Sequence, residues 1–279
     1  MQLLIVLLAI AFVQVWGARN PLHQDSWFIQ WVNLVSARDA LGRAWQAPVI
    51  IGGPVLAFLL IQAGFTQLSA WLMLPLGVVV LLYSFGRGEF SDIVDEYTKA
   101  CYVEDWSSAL DRAQRLEVDT DDLAENDWSQ LHRRVFDEAG YRGFERMFAV
   151  LFWFLILGPV GALLYRLMFI YVRTVDEPSV AAARMLWLLE WPVVRLLGLS
   201  LSLSGNFVGC FNRLKDCLIC VKRSTIDALS PMILGALLVD DNLVQTCEVT
   251  RKELNLLNGL YTRTLWMWLA VAALLTILI

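Results

Sequence analysis

Histidine is nearly absent: His23 and His132 are the only two in 279 residues, which excludes a His-rich metal site. A glycine-rich loop of the P-loop form is missing too, so no phosphate cradle of that kind is written into the chain. Five cysteines, Cys101, Cys210, Cys217, Cys220 and Cys247, are odd in number and follow no framework spacing, a pattern of free thiols on a reducing side rather than of structural bridges. Cys217 and Cys220 make a lone CxxC without a second pair or a neighbouring histidine, too little for zinc or redox chemistry. Charge is sparse as well. Charged residues make up 18% of the chain against 58% hydrophobic ones, mean hydropathy is +0.57, and the apolar residues come in blocks that exclude charge, as they do where lipid is the solvent. With a net charge of −5, nucleic acid is not an expected partner.

The longest of these blocks, Pro48 to Tyr83, runs 36 residues without a charge, nearly two crossings of a hydrocarbon core about 30 Å thick. A hairpin turning at Gly64–Ser69 is the economical solution. Phe148 to Leu164 is a second uncharged block, seventeen residues long. Gly158, Pro159 and Gly161 interrupt it, so a break is expected at membrane depth, with Gly52, Gly53, Pro54, Pro75 and Gly77 offering small surfaces for close packing against Gly158 and Gly161. Met1 to Trp16 lacks the basic start of a secretory signal and reads as an uncleaved spanning helix. Arg19, Arg38 and Arg43 follow it and set its start outside and the next segment in the cytoplasm. Trp27, Trp31, Leu34 and Val35 then form the apolar side of an interfacial helix, near a His23–Asp25 pair that either makes a weak ligand motif or simply faces water. Leu260 to Ile279 reads as a closing membrane helix. Met185 to Phe211 carries Glu190 and Arg195 around Pro192; it either enters the membrane, where ionisable groups mark functional sites, or lies at the interface with both groups reaching water.

Residues 84–147 hold eight basic and sixteen acidic side chains, a net of −8. Phe90, Ile93, Val94, Tyr97 and Cys101 make one apolar stripe and Trp106, Ala109, Leu110, Ala113 and Leu116 another, with Glu104-Asp105 between, which predicts a helical hairpin docked on other elements. The acidic run from Asp119 to Asp127 fails the calcium-loop pattern, having Ala124 where glycine and Gln130 where a bidentate glutamate are needed. Its carboxylates are expected to cap a helix starting near Trp128. The chain thus divides into residues 1–83 (membrane helices with an interfacial segment), 84–147 (acidic, helical, cytoplasmic), 148–211 (broken membrane helix with a re-entrant or interfacial segment), 212–259 (a second polar helical portion) and 260–279. The fold class is all-α: a polytopic helical membrane protein with about four to six embedded segments.

Several pieces resemble the AmpE family of bacterial inner-membrane proteins, within the wider CobD/CbiB group. They are His23-x-Asp25 followed by Leu41-Gly42-Arg43, Phe148-x-x-Leu151-Phe152-Trp153 leading into the Gly-Pro segment, and Glu190-Trp191-Pro192-x-x-Arg195-Leu196. The likeness extends in outline over nearly the whole chain. It implies a multi-pass inner-membrane protein with an accessory signalling role in β-lactamase induction and peptidoglycan recycling, and hence antibiotic resistance. Resemblance to the cobalamin-pathway synthase of the same group implies instead ATP- and magnesium-dependent amide formation. No carboxylate cluster for magnesium stands near WPVVRL, and no catalytic motif or metal ligand is assigned. Under either reading Glu145, Arg166, Glu190, Arg195 and Asn206 are the expected polar lining of a membrane-level pocket. Its ligand is expected to be cell-wall-derived or otherwise anionic, and a homo-oligomer is left open. The halves show no repeat of the transporter kind.

Overall fold

A computed structural model describes residues 1–16, 24–37, 43–68, 70–85, 90–175, 178–218, 223–239 and 246–278. Every regular element among them is helical, as the apolar blocks and helix-period stripes predict. They divide into two compact units, Met1–Gly86 with Arg146–Trp191, and Arg87–Glu145 with Pro192–Ile279.

The first unit contains α1 (Gln2–Trp16), α2 (Ser26–Ser36), α3 (Arg43–Leu68), a 3-10 turn (Ala70–Leu72) and α4 (Met73–Ser84). After the polar portion come α8 (Val150–Leu157), α9 (Pro159–Thr174) and the start of α10 (Val180–Ser204). α4 packs on α1 and α9, and α2 on α3 and α9. The expected hairpin is present, but α3 continues through Gly64 to Leu68, so its turn lies beyond the expected one. Small residues do admit close neighbours, though Gly53 and Gly77 do so toward Trp31 and Ile5 and not toward Gly158 and Gly161. A Cβ on Gly77 would meet Ile5 of α1, and one on Gly53 would meet the Trp31 ring. Pro54, inside α3, has no N–H to donate to the carbonyl four residues back. That carbonyl belongs to Ile50, and the Trp31 indole donates to it at 3.0 Å. α2 buries Phe28, Val32 and Val35 while Trp27 and Leu34 face outward, a stripe rotated by about one residue from the expected one.

The broken segment is broken. α8 ends at Gly158, whose φ of +69° and ψ of −156° belong to a region open essentially to glycine alone. Pro159 then opens α9 at its first position, where a missing N–H costs nothing. A Cβ on Gly161 would stand 2.3 Å from the Trp153 carbonyl oxygen, so the two helices close tightly on each other. Ahead of α8 the backbone passes through a π-helical turn, Phe144–Ala149, that carries Glu145 and Arg146.

The second unit holds α5 (Phe90–Tyr102), α6 (Trp106–Arg115), α7 (Trp128–Gly143), the end of α10, α11 (Phe207–Cys217), α12 (Thr225–Leu237) and α13 (Cys247–Leu278). The acidic hairpin forms as expected. Tyr97, Ala109, Ala113 and Leu116 bury against Leu131 and Val135 of α7, with Ile93, Val94, Trp106 and Leu110 around them. Asp105 caps α6, and Asp127 caps α7 by accepting from the Gln130 N–H at 3.0 Å. α11 and α12 cross at a pair of glycines, where a Cβ on Gly209 would lie 2.4 Å from the Gly235 oxygen. Met185–Phe211 is not one element: α10 ends at Ser204, and Asn206 starts α11.

The expectation of free thiols fails at one pair. Cys101 at the end of α5 and Cys247 at the start of α13 are joined in a disulfide, with Cα atoms 5.8 Å apart. Five cysteines leave room for up to two bridges, and the packing of α5 on α13 brings these two together. Such a bond persists on an oxidising side of a membrane and is transient on a reducing one. Cys210 and Cys217 are free and buried; Cys220, and with it the CxxC motif, lies outside the described residues.

By length and hydropathy, two described helices suffice to cross a bilayer: Gln46–Phe65 within α3, and α10. Gln2–Val15, Met73–Ser84 and Thr225–Leu237 are apolar but shorter, and the glycine break divides the Phe148 block into α8 and α9.

Candidate functional site

Two adjacent residues of α9, Tyr165 and Arg166, carry the polar chemistry of the first unit. About 100° separates neighbours on a helix, so they reach in different directions. Arg166, 3% exposed, donates from Nη2 to Oδ2 of Asp25 at 3.0 Å, and Asp25 is itself 8% exposed. The Tyr165 hydroxyl donates to Oε1 of Glu190 on α10 at 3.1 Å, and Glu190 is 2% exposed. Two buried carboxylates, a guanidinium and a phenol thus stand within an otherwise apolar set of helices.

Asp25 sits at the N-cap position of α2 but makes no capping bond, since its carboxylate turns to Arg166 instead. Its other oxygen, Oδ1, and the Tyr83 hydroxyl are both buried, and neither makes a hydrogen bond of good geometry among the described residues, although the carboxylate and the phenol lie close enough to interact with each other. Tyr83 lies within electrostatic reach of both Asp25 and Arg166, and its ring packs against Trp27 at 6.0 Å between centroids. Arg166 also stands 5.8 Å from the centroid of Phe169. The cluster therefore brings a carboxylate, a phenol and a guanidinium together.

Of the residues expected to line one pocket, Arg166 and Glu190 belong to this unit, and Glu145, Arg195 and Asn206 to the other. Glu145 is buried in the π-helical turn. Arg195 donates to the Cys217 carbonyl at 3.0 Å. Asn206 caps α11 through its side-chain oxygen, 2.7 Å from the Gly209 nitrogen, which commits that atom to local structure. Arg166 stands eight residues past Gly158, about 12 Å along the helix, so the polar cluster is not at the helix break. Asp25 is the member that sequence reasoning left at the surface. A signal for it exists: the first 86 residues contain only two acids, Asp25 and Asp39, and an arginine in an apolar run needs one nearby. His23 lies outside the described residues.

In the second unit His132 is buried and accepts at Nδ1 from the Tyr97 hydroxyl at 2.6 Å. Its Nε2 lies 3.6 Å from Cys101 Sγ. A disulfide sulfur has no proton, so Nε2 carries the hydrogen and the ring is neutral; burial lowers its pKa to about 4. Among the described residues no three His, Cys, Asp or Glu side chains come together to hold a metal. A magnesium ion would have to rely on one or two carboxylates and the phosphates of its nucleotide.

No family model, no curated protein and no solved structure matches the chain.

Proposed function

We propose that this chain is a multi-pass membrane protein of the AmpE kind, an accessory regulator in which an anionic ligand, cell-wall-derived or similar, competes with Asp25 for Arg166. The observation that carries this reading is the buried Asp25–Arg166 pair, with the Tyr83 phenol beside it. Ionisable groups among lipid-embedded helices are costly and are kept chiefly where they act. Competition gives a switch its two states: with Asp25 on Arg166 the start of α2 is tied to α9, and with an anion on Arg166 it is released. Lipid as solvent is supported by α3, whose Leu56, Leu60 and Ile61 face outward, a costly arrangement in water. α10, α1, α4, the α8–α9 pair and the end of α13 complete the embedded set in this proposal.

The test is induction of β-lactamase by a β-lactam in cells whose own copy is deleted and replaced by variants. Arg166→Met paired with Asp25→Leu, which removes both charges together, is expected to insert at parental levels and to abolish the chain's effect on induction. A deletion that leaves induction unchanged refutes the regulatory role. A paired variant that signals normally refutes the switch.

A further inference from the structure

The second unit bears an open cavity of about 250 Å³ that the α9 cluster does not use. α7 supplies Arg133 and Asp137, α11 supplies Arg213, and the first turns of α12 supply Asp227, Ser230 and Pro231. Arg213 and Asp227 are exposed at its rim, while Ser230 is buried. Ser224 caps α12, its Oγ accepting from the Asp227 N–H at 3.1 Å and donating to Asp227 Oδ2 at 2.7 Å, which fixes that carboxylate at the mouth. Pro231 has no N–H, so the Asp227 backbone carbonyl lacks its usual donor from one turn on. Deeper in, Asp137 Oδ1 is buried and has no hydrogen-bond partner among the described residues. Burial raises its carboxyl above the ordinary range, while Ser230 and Arg133 pull the other way.

We propose that this cavity binds a small dipolar molecule carrying a carboxylate and an ammonium group, of amino-acid size. Two guanidiniums and two carboxyl groups line the space, so donors and acceptors of both kinds face it and it favours a guest that is polar at both ends. Guanidinium forks suit a carboxylate. The free Asp137 oxygen and the Asp227 carbonyl are acceptors for an ammonium. The volume equals that of about eight water molecules and falls short of the roughly 300 Å³ at which pockets for drug-sized ligands begin.

Calorimetric titration of the full chain in detergent micelles tests this, with glycine, L-alanine and D-alanine as zwitterions and with acetate and ethylamine as their halves. At least one zwitterion is expected to bind with Kd below about 1 mM, and each half at least about tenfold more weakly. Arg213→Gln, at the exposed rim, and Asp137→Asn are each expected to weaken binding about tenfold; the rim variant keeps the test valid should the buried one fail to fold. Absence of binding by all three zwitterions overturns the proposal. So does acetate binding as tightly as the zwitterions, or binding that the folded Arg213→Gln variant leaves unchanged.

Discussion

Replacing Asp25 by alanine leaves the Arg166 guanidinium, 3% exposed, without the carboxylate 3.0 Å away. Breaking a buried ion pair from one side costs about 3–5 kcal/mol, because the remaining charge stays out of water. Arg166 keeps its approach to Phe169, worth about 1 kcal/mol, which places the expected loss near the lower end, at about 3 kcal/mol. At about 2 °C per kcal/mol for a chain of this size, the melting temperature in detergent should fall by about 6 °C. Removing both charges at once, as Asp25→Leu with Arg166→Met, should return stability to within about 1 kcal/mol of the parent, because packed apolar groups replace buried pairs at little cost. Thermal unfolding of the three variants followed by tryptophan fluorescence measures the cycle. If Asp25→Ala melts within about 1 °C of the parent, the pair is not holding a buried charge and the reasoning fails. The paired variant also separates structure from signalling, since it should be stable yet inactive.

Reduction, or Cys101→Ser, should destabilise the second unit by about 5 kcal/mol on the loop-entropy relation, given a separation of 146 residues; unfolding with and without dithiothreitol measures this, and equal curves would contradict the bond. His132 has a folded pKa near 4 against about 6.5 unfolded. The unfolded chain therefore binds the extra proton between those values, and stability should be full above pH 6.5 and fall as pH drops toward 4. His132→Phe should flatten that part of the curve, and a parallel curve would count against a buried neutral ring. Gly158→Ala forces a side chain into a backbone region reserved for glycine and should cost about 1–3 kcal/mol; no loss in the melting temperature would mean that the elbow is not held there.

Helix content, the acidic hairpin, the cap at Asp127 and the glycine break were legible in the sequence because each depends on neighbours within a few residues. A stripe at helical spacing or a Gly-Pro pair acts locally wherever the chain goes. Partners across the chain were not legible. Asp25 and Arg166 are 141 residues apart, Cys101 and Cys247 are 146 apart, and nothing in composition or spacing joins them. Arg166 and Glu190 could be singled out because charge within an apolar run is conspicuous. Tyr83 and Tyr165 could not, since a tyrosine in such a run is ordinary until its hydroxyl is seen to face a carboxylate. Asn206 drew notice for a related reason, as a polar residue after an apolar run, and in the structure it starts a helix.

Lipid as the solvent of the first unit is the claim on which the rest depends, and two side chains of nearly equal exposure test it. Leu60 on α3 is 74% exposed and Val103, just past α5, is 77% exposed. Each is replaced singly by cysteine, and a hydrophilic maleimide is applied to open membrane fragments, counting only label beyond that of the parent chain. Val103→Cys is predicted to react readily. Leu60→Cys is predicted to stay unlabelled until detergent and denaturant are added, whereas equal labelling of the two in intact membrane would contradict the account.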